Sequence, residues 1–121
     1  MKSLFSLQTL ILSTLTLSVS FLHANSPESD HLIFEGSDGP GKGKHVVFLS
    51  GDEEYRSEEA LPMLAQMLAK QGFKCTVLFS LNEDGTVNPD AGDNISHPEA
   101  MDTADALVMS LRFRHWDDKA M

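Results

Sequence analysis

Three uncharged or nearly uncharged apolar runs set the limits on what this chain can fold into: "HVVFLS" (His45 to Ser50), "KCTVLFS" (Lys74 to Ser80) and "DALVMSLRF" (Asp105 to Phe113). Each is rich in β-branched and large apolar residues and shows no alternation with polar ones. That is the pattern of a strand covered on both faces, as in a parallel sheet with helices above and below it. Between the first two runs lies an amphipathic segment in which Leu61, Leu64, Met67 and Leu68 fall on one stripe, away from Gln66, Lys70 and Gln71. Pro62 lacks an N–H and suits the first helical turn, so regular helix is expected to begin near Glu59 to Leu61 rather than at Ser57. Gly72 follows as a natural C′ residue. The order strand, helix, strand, connector, strand implies an α/β fold with about three parallel strands, the first run central in a 2-1-3 order, and one full helix.

The flanks read differently. Met1-Lys2, the apolar Ser/Thr-rich run to Leu22 and the ending Leu22-His23-Ala24 form a secretory signal, with cleavage expected after Ala24. The five Ser and three Thr diluting that run, and the lack of a basic flank after it, argue against a stable membrane anchor. Removing the first 24 of 121 residues leaves 97, with eight basic against eighteen acidic side chains and a net charge of −10. So acidic an export-competent domain is a poor partner for nucleic acid or an anionic membrane. Its single cysteine, Cys75, cannot close an internal disulfide and reads as a small buried hydrophobe.

Residues 25–43 read as a flexible N-terminal segment holding one short apolar burst, "HLIFEG", and the glycine-rich "SDGPGKGK". The latter nearly spells a phosphate-binding loop. However, Gly43 stands where a magnesium-binding hydroxyl is needed, and the segment precedes a strand instead of linking a strand to a helix. The long connector "LNEDGTVNPDAGDNISHPE" carries tight-turn signals at Asp84-Gly85 and Asn88-Pro89, and a short helical turn is expected around Pro98 to Asp102. Its Asn94-Ile95-Ser96 fits the glycosylation triplet, a pattern short enough to arise by chance. "WDDKAM" reads as a helix's opening turn capped by Asp117. Residues 44–121 therefore read as the N-terminal part of a larger domain, with further domains of a longer protein as expected partners.

Parallel sheets bind ligands beyond the carboxyl ends of their strands. Two polar stretches fall there: Gly51, Asp52, Glu53, Glu54, Tyr55 and Arg56 after the first run, and Arg112, Arg114 and His115 at the end of the third. With the first and third strands adjacent, the two face one another across a crevice. Carboxylate acceptors, a phenol ring and forked guanidinium donors suit a polyhydroxylated ligand such as a sugar. The bland alternatives are that Glu58 and Glu59 serve the helix dipole, that Arg56 pairs with a neighbouring carboxylate, and that one of Arg112 and Arg114 packs away from any ligand. Asp52, Glu53 and His115 could be imagined around a metal, but their spacing matches no ligand pattern. The sequence identifies no cofactor.

The stretches "GPGKGKHVVFLSGDEEYRSEEALPMLAQMLAKQGFKCTVLF", "DGTVNP" and "DTADALVMSLRFR" resemble the ThuA-like (trehalose utilisation-like) domain of exported bacterial proteins, over roughly Glu35 to Arg114. The resemblance implies a flavodoxin-like fold of the class I glutamine amidotransferase-like type and a role in carbohydrate metabolism. It carries Gly51, Asp52, Glu53, Glu54, Tyr55, Arg56, Arg112, Phe113 and Arg114 as pattern residues, without assigning their roles. His115-Trp116 departs from the acidic residue and proline-containing helix start usual in the family. Amidotransferases proper use a cysteine on a strand-to-helix turn and a histidine later in the chain, so glutaminase activity is not expected here. The alternatives are a non-catalytic sugar- or protein-binding module and a fragment without function. A flavodoxin-like electron carrier is disfavoured, because an acidic first loop repels a flavin phosphate.

Overall fold

The computed structural model describes residues 30–116 and residue 118. The expected signal peptide (1–24) and the cap at Asp117 lie outside the described residues. Four strands and one main helix follow in the order β1 (His31–Phe34), β2 (His45–Gly51), α1 (Ser57–Ala69), β3 (Lys74–Leu78), a 3₁₀ helix (Pro98–Thr103) and β4 (Ala106–Leu111). The protein is α/β, with a mixed sheet in the order β1-β3-β2-β4. The three continuous apolar runs supply the parallel strands: β2 is central, with Val47 opposite Thr76 of β3 and Leu107 of β4. The expectation of an incomplete, wholly parallel sheet is corrected by β1. It pairs antiparallel with the outer edge of β3, from His31 opposite Leu78 to Phe34 opposite Cys75.

The two faces of β2 carry two cores. Val46 and Phe48 pack with Cys75, Val77 and Phe79 under Leu61 and Ala65 of α1. Val47 and Leu49 pack with Leu78, Ile95 and Ala100 on the opposite face, covered by the 3₁₀ helix and the end of the long connector. Coverage on both sides explains why β2 is buried almost throughout, as its unbroken apolar sequence requires. No helix among the described residues is long and apolar enough to cross a membrane.

The helix departs from expectation twice. It starts at Ser57, with Pro62 inside it, because a non-local network fixes its first residue. The buried Ser57 hydroxyl accepts the N–H groups of Gly51 (3.1 Å) and Asp52 (2.8 Å) and bonds the Ser50 hydroxyl. The buried line runs through Ser57, Leu61, Ala65 and Ala69, leaving Leu64 and Met67 exposed. Small alanines let the helix approach the sheet closely along this i, i+4 row, which rotates the larger residues to its flank.

Part of the segment read as a flexible connector is a clasp on the C-terminus of α1. The Ser37 N–H donates to the Ala69 carbonyl (2.9 Å), the Ser37 hydroxyl to that of Lys70 (3.0 Å), and the Gly41 N–H to that of Gln71 (2.9 Å). These satisfy carbonyls that a helix end leaves without partners. Backbone meets backbone so closely that a Cβ on Gly36 would collide with the carbonyl of Gly72. The near phosphate-loop sequence thus embraces the negative end of a helix dipole, which repels anions.

Candidate functional site at the carboxyl rim of the sheet

The loop after β2 and the segment after β4 meet at the carboxyl ends of the strands. Glu53 pairs with Arg114 at 3.2 Å and Glu54 pairs with Arg112. The acidic loop and the arginine segment, 61 residues apart in sequence at the Glu53–Arg114 pair, therefore share one rim.

Within it the residues divide by role. The Arg114 side chain is only 6% exposed. Its Nε donates to the Gly51 carbonyl, Nη1 to that of Ala91 (2.5 Å), and Nη2 to that of Pro89 (2.6 Å) and to Glu53. One guanidinium thus ties the end of β2, the long connector and the acidic loop together, with four of its five N–H donors engaged within the protein. Arg114, expected among the ligand donors, is placed here as the tie that holds the rim together. Asp52 is also turned inward: it is buried, and its carboxylate accepts the Tyr55 N–H at 3.2 Å. Gly51 is buried in the end of β2, and its carbonyl also accepts the Arg112 N–H at 2.9 Å. Arg56 pairs with Glu59, as the bland alternative had it. His115 is anchored by its backbone N–H on the Gly92 carbonyl (2.6 Å), with the residue exposed. Among the described residues no group of three metal-ligating side chains converges, so Asp52, Glu53 and His115 form no metal centre.

Facing solvent are the Glu54–Arg112 pair, Tyr55 and Phe113. Tyr55 is 74% and Phe113 75% exposed, and the Arg112 guanidinium carbon lies 4.8 Å from the centre of the Phe113 ring.

The rim is also where the backbone is strained. Among the described residues, non-glycine residues have positive φ at Arg56 (52°), His97 (45°) and Phe113 (51°). Arg56 precedes α1, His97 precedes the 3₁₀ helix, and Phe113 follows β4, so all three border the carboxyl ends of the strands. Left-handed backbone costs an L-residue about 1 kcal/mol, and such positions concentrate where a structure holds a site in place.

Sequence reasoning missed the neighbouring hollow. A cavity of about 630 Å³ lies between the connector and the start of β1, lined by Asp30, Glu83, Asp93, Asn94, His97 and Glu99 among others. At its edge the His31 and His97 rings stack at 4.1 Å, His31 bonded to Asp30 and His97 paired with Glu99. The one available signal was histidine and aspartate placed beside turn residues, which gives no hint of which loop folds onto which strand. Asn94, of the glycosylation triplet, is a loop closure: its carbonyl oxygen accepts the Leu81 N–H (2.8 Å) and its amide nitrogen donates to the Leu81 carbonyl (3.0 Å). Cys75 is a free, fully buried thiol whose pKa burial pushes up, which suits packing and not nucleophilic attack. No family model matches this chain, and no curated protein or solved structure matches it either.

Proposed function

We propose that this chain is an exported ThuA-like domain protein with a flavodoxin-like parallel core, acting in carbohydrate utilisation and holding its ligand at the carboxyl rim. The observation carrying the proposal is the pairing of Glu53 with Arg114 and of Glu54 with Arg112. Two of the three stretches that bear the family resemblance supply the partners in these pairs, and ligand sites of parallel α/β sheets form at that edge. Arg114 fixes the loop, while Glu54, Arg112, Tyr55 and Phe113 remain available to a polar, ring-shaped ligand.

A non-catalytic module is favoured over an enzyme by one feature of the same rim. Glu53 and Glu54 are engaged with arginines, Asp52 is buried on a backbone N–H, and Cys75 lies inside the sheet, so none of these four is poised as a base or nucleophile. Calorimetric titration of the purified chain with a panel of mono- and disaccharides, followed by product analysis of any binder, tests both points. Binding without turnover is the expected result. Turnover overturns the module reading, and no heat from any sugar overturns the carbohydrate reading.

A further inference from the structure

The aromatic residues of the described chain fall into two groups. Phe34, Phe48, Phe73 and Phe79 belong to the core under α1, and Trp116 packs on the other face. Tyr55 and Phe113 belong to neither. They are the two most exposed large apolar side chains among the described residues, and each is adjacent in sequence to one member of the Glu54–Arg112 pair.

Phe113 is costly on two counts. Its ring stands in water, and its backbone at φ 51° is a conformation that bulky L-residues avoid. Its neighbours hold it there: the Arg112 N–H is bonded to the Gly51 carbonyl and the Arg114 guanidinium is locked beneath the rim. Among the described residues no apolar cluster repays either cost, so the return lies with something outside them. The Arg112 guanidinium lies over the ring, which fixes the ring's tilt and leaves one face for another partner.

We infer that Phe113, with Tyr55, is a stacking platform for the apolar C–H face of a pyranose ring, whose hydroxyls are read by Glu54 and Arg112. The inference rests on the carbohydrate reading above and adds to it which residues touch the ligand. Aromatic faces carry partial negative charge and attract the polarised axial C–H groups of a pyranose. A carboxylate and a guanidinium side by side can accept from and donate to neighbouring hydroxyls.

Saturation-transfer NMR on the purified chain with methyl β-D-glucopyranoside, whose axial H1, H3 and H5 share one face, provides the test. Transfer is expected to be strongest to those axial hydrogens. Phe113→Gly is expected to weaken binding about tenfold, while the melting temperature stays level or rises, because glycine accepts positive φ without strain. A purely structural phenylalanine gives the opposite signature, a lowered melting temperature, and that result overturns the inference. Phe113→Asn, which also tolerates left-handed backbone, is the second variant and is expected to weaken binding to the same extent. If the glycoside binds Phe113→Gly as well as the parent but Arg112→Gln loses it, the inference falls and the rim reading stands. If the glycoside receives no transfer from the parent chain while another sugar of the calorimetric panel binds, the inference falls and the carbohydrate reading stands; if no sugar binds, both fall.

Discussion

The two ends of the sheet solve the same problem, turning the chain between strand and helix, by opposite means. At the amino end the turns use glycine: Gly43 and Gly72 take positive φ, at 79° and 97°, and the clasp over α1 is held by backbone hydrogen bonds. At the carboxyl end Gly85 of the connector also takes positive φ, at 85°, but so do Arg56, His97 and Phe113, residues that resist that conformation, and the loops are held by side chains, above all Arg114. The amino end carries lysines (Lys42, Lys44 and Lys74) beside a second cavity of about 600 Å³, whereas Arg112 and Arg114 stand at the other. Lysine is a flexible point charge, while arginine is a planar fork that locks several acceptors at once. One end is built for closure at little strain. The other retains strain and spends its rigid donors on fixing loops.

Removing the fork should break the carboxyl end. Arg114→Met leaves the carbonyls of Pro89 and Ala91 without their donor and Glu53 without its partner. A loss of about 4 kcal/mol in urea unfolding is expected, within the range for breaking a buried charge network. Because the connector loses two anchors, limited proteolysis should cut near Pro89 to Ala91 before the core. A loss under about 1 kcal/mol, typical of an exposed pair, would show that the rim stands without this residue.

The amino end should fail for a different reason. Gly36→Ala puts a methyl group into the carbonyl of Gly72 and the carbonyl carbon of Phe73, which are backbone atoms with no rotamer to yield. An overpacking cost of about 2 to 3 kcal/mol is expected, read again by urea unfolding. The rim should keep whatever ligand affinity it has, since the clasp contacts α1 at its far end. Equal damage to binding would mean that the two ends are coupled through the helix.

How much of this could be read beforehand depended on where each residue's partners lie. β2 and β3 were legible because cover on both faces leaves a continuous apolar run that almost nothing else produces, whereas β4 carries the same kind of run with Leu107 and Met109 exposed, so the expected cover on both its faces is not found among the described residues. β1 was not: "HLIF" is four residues long, its two middle residues are exposed, and its partner β3 lies some forty residues away. The helix start was misplaced because local rules about Pro62 were overridden by the Ser57 hydroxyl bonding to Gly51 and Asp52 across the loop. That the acidic loop and the arginines share a rim followed from strand adjacency. Which arginine faces outward did not, because it depends on the left-handed turn at Phe113 and on carbonyls of a connector whose path the sequence does not specify.

The finest comparison sets an ion pair of one end against that of the other. At the amino end Lys44 donates to Asp105 at 2.8 Å, and the other Asp105 oxygen accepts the His45 N–H, also at 2.8 Å. The Lys44 hydrogen bond first, and the His45 N–H second, hold the Asp105 carboxyl below its usual value of 3.8. The same contact with Asp105 raises Lys44 above 10.5. A depressed carboxyl stabilises the fold above its ordinary pKa and loses that contribution as pH falls through the lower, folded value. A raised ammonium stabilises below its ordinary pKa and loses its contribution as pH rises through the higher one. The melting-temperature difference between the parent chain and Asp105→Asn should therefore be level from 3.8 to 10.5, the two ordinary values, and collapse on either side. Both side chains are well exposed, 61% and 40%, so this is the smallest effect of the set and should shrink further with added salt. The part-buried Arg114–Glu53 pair, with Arg114 at 6% and Glu53 at 32% exposure, should respond less to the same salt. A salt response as large at Arg114→Met as at Asp105→Asn would erase the distinction between the two ends.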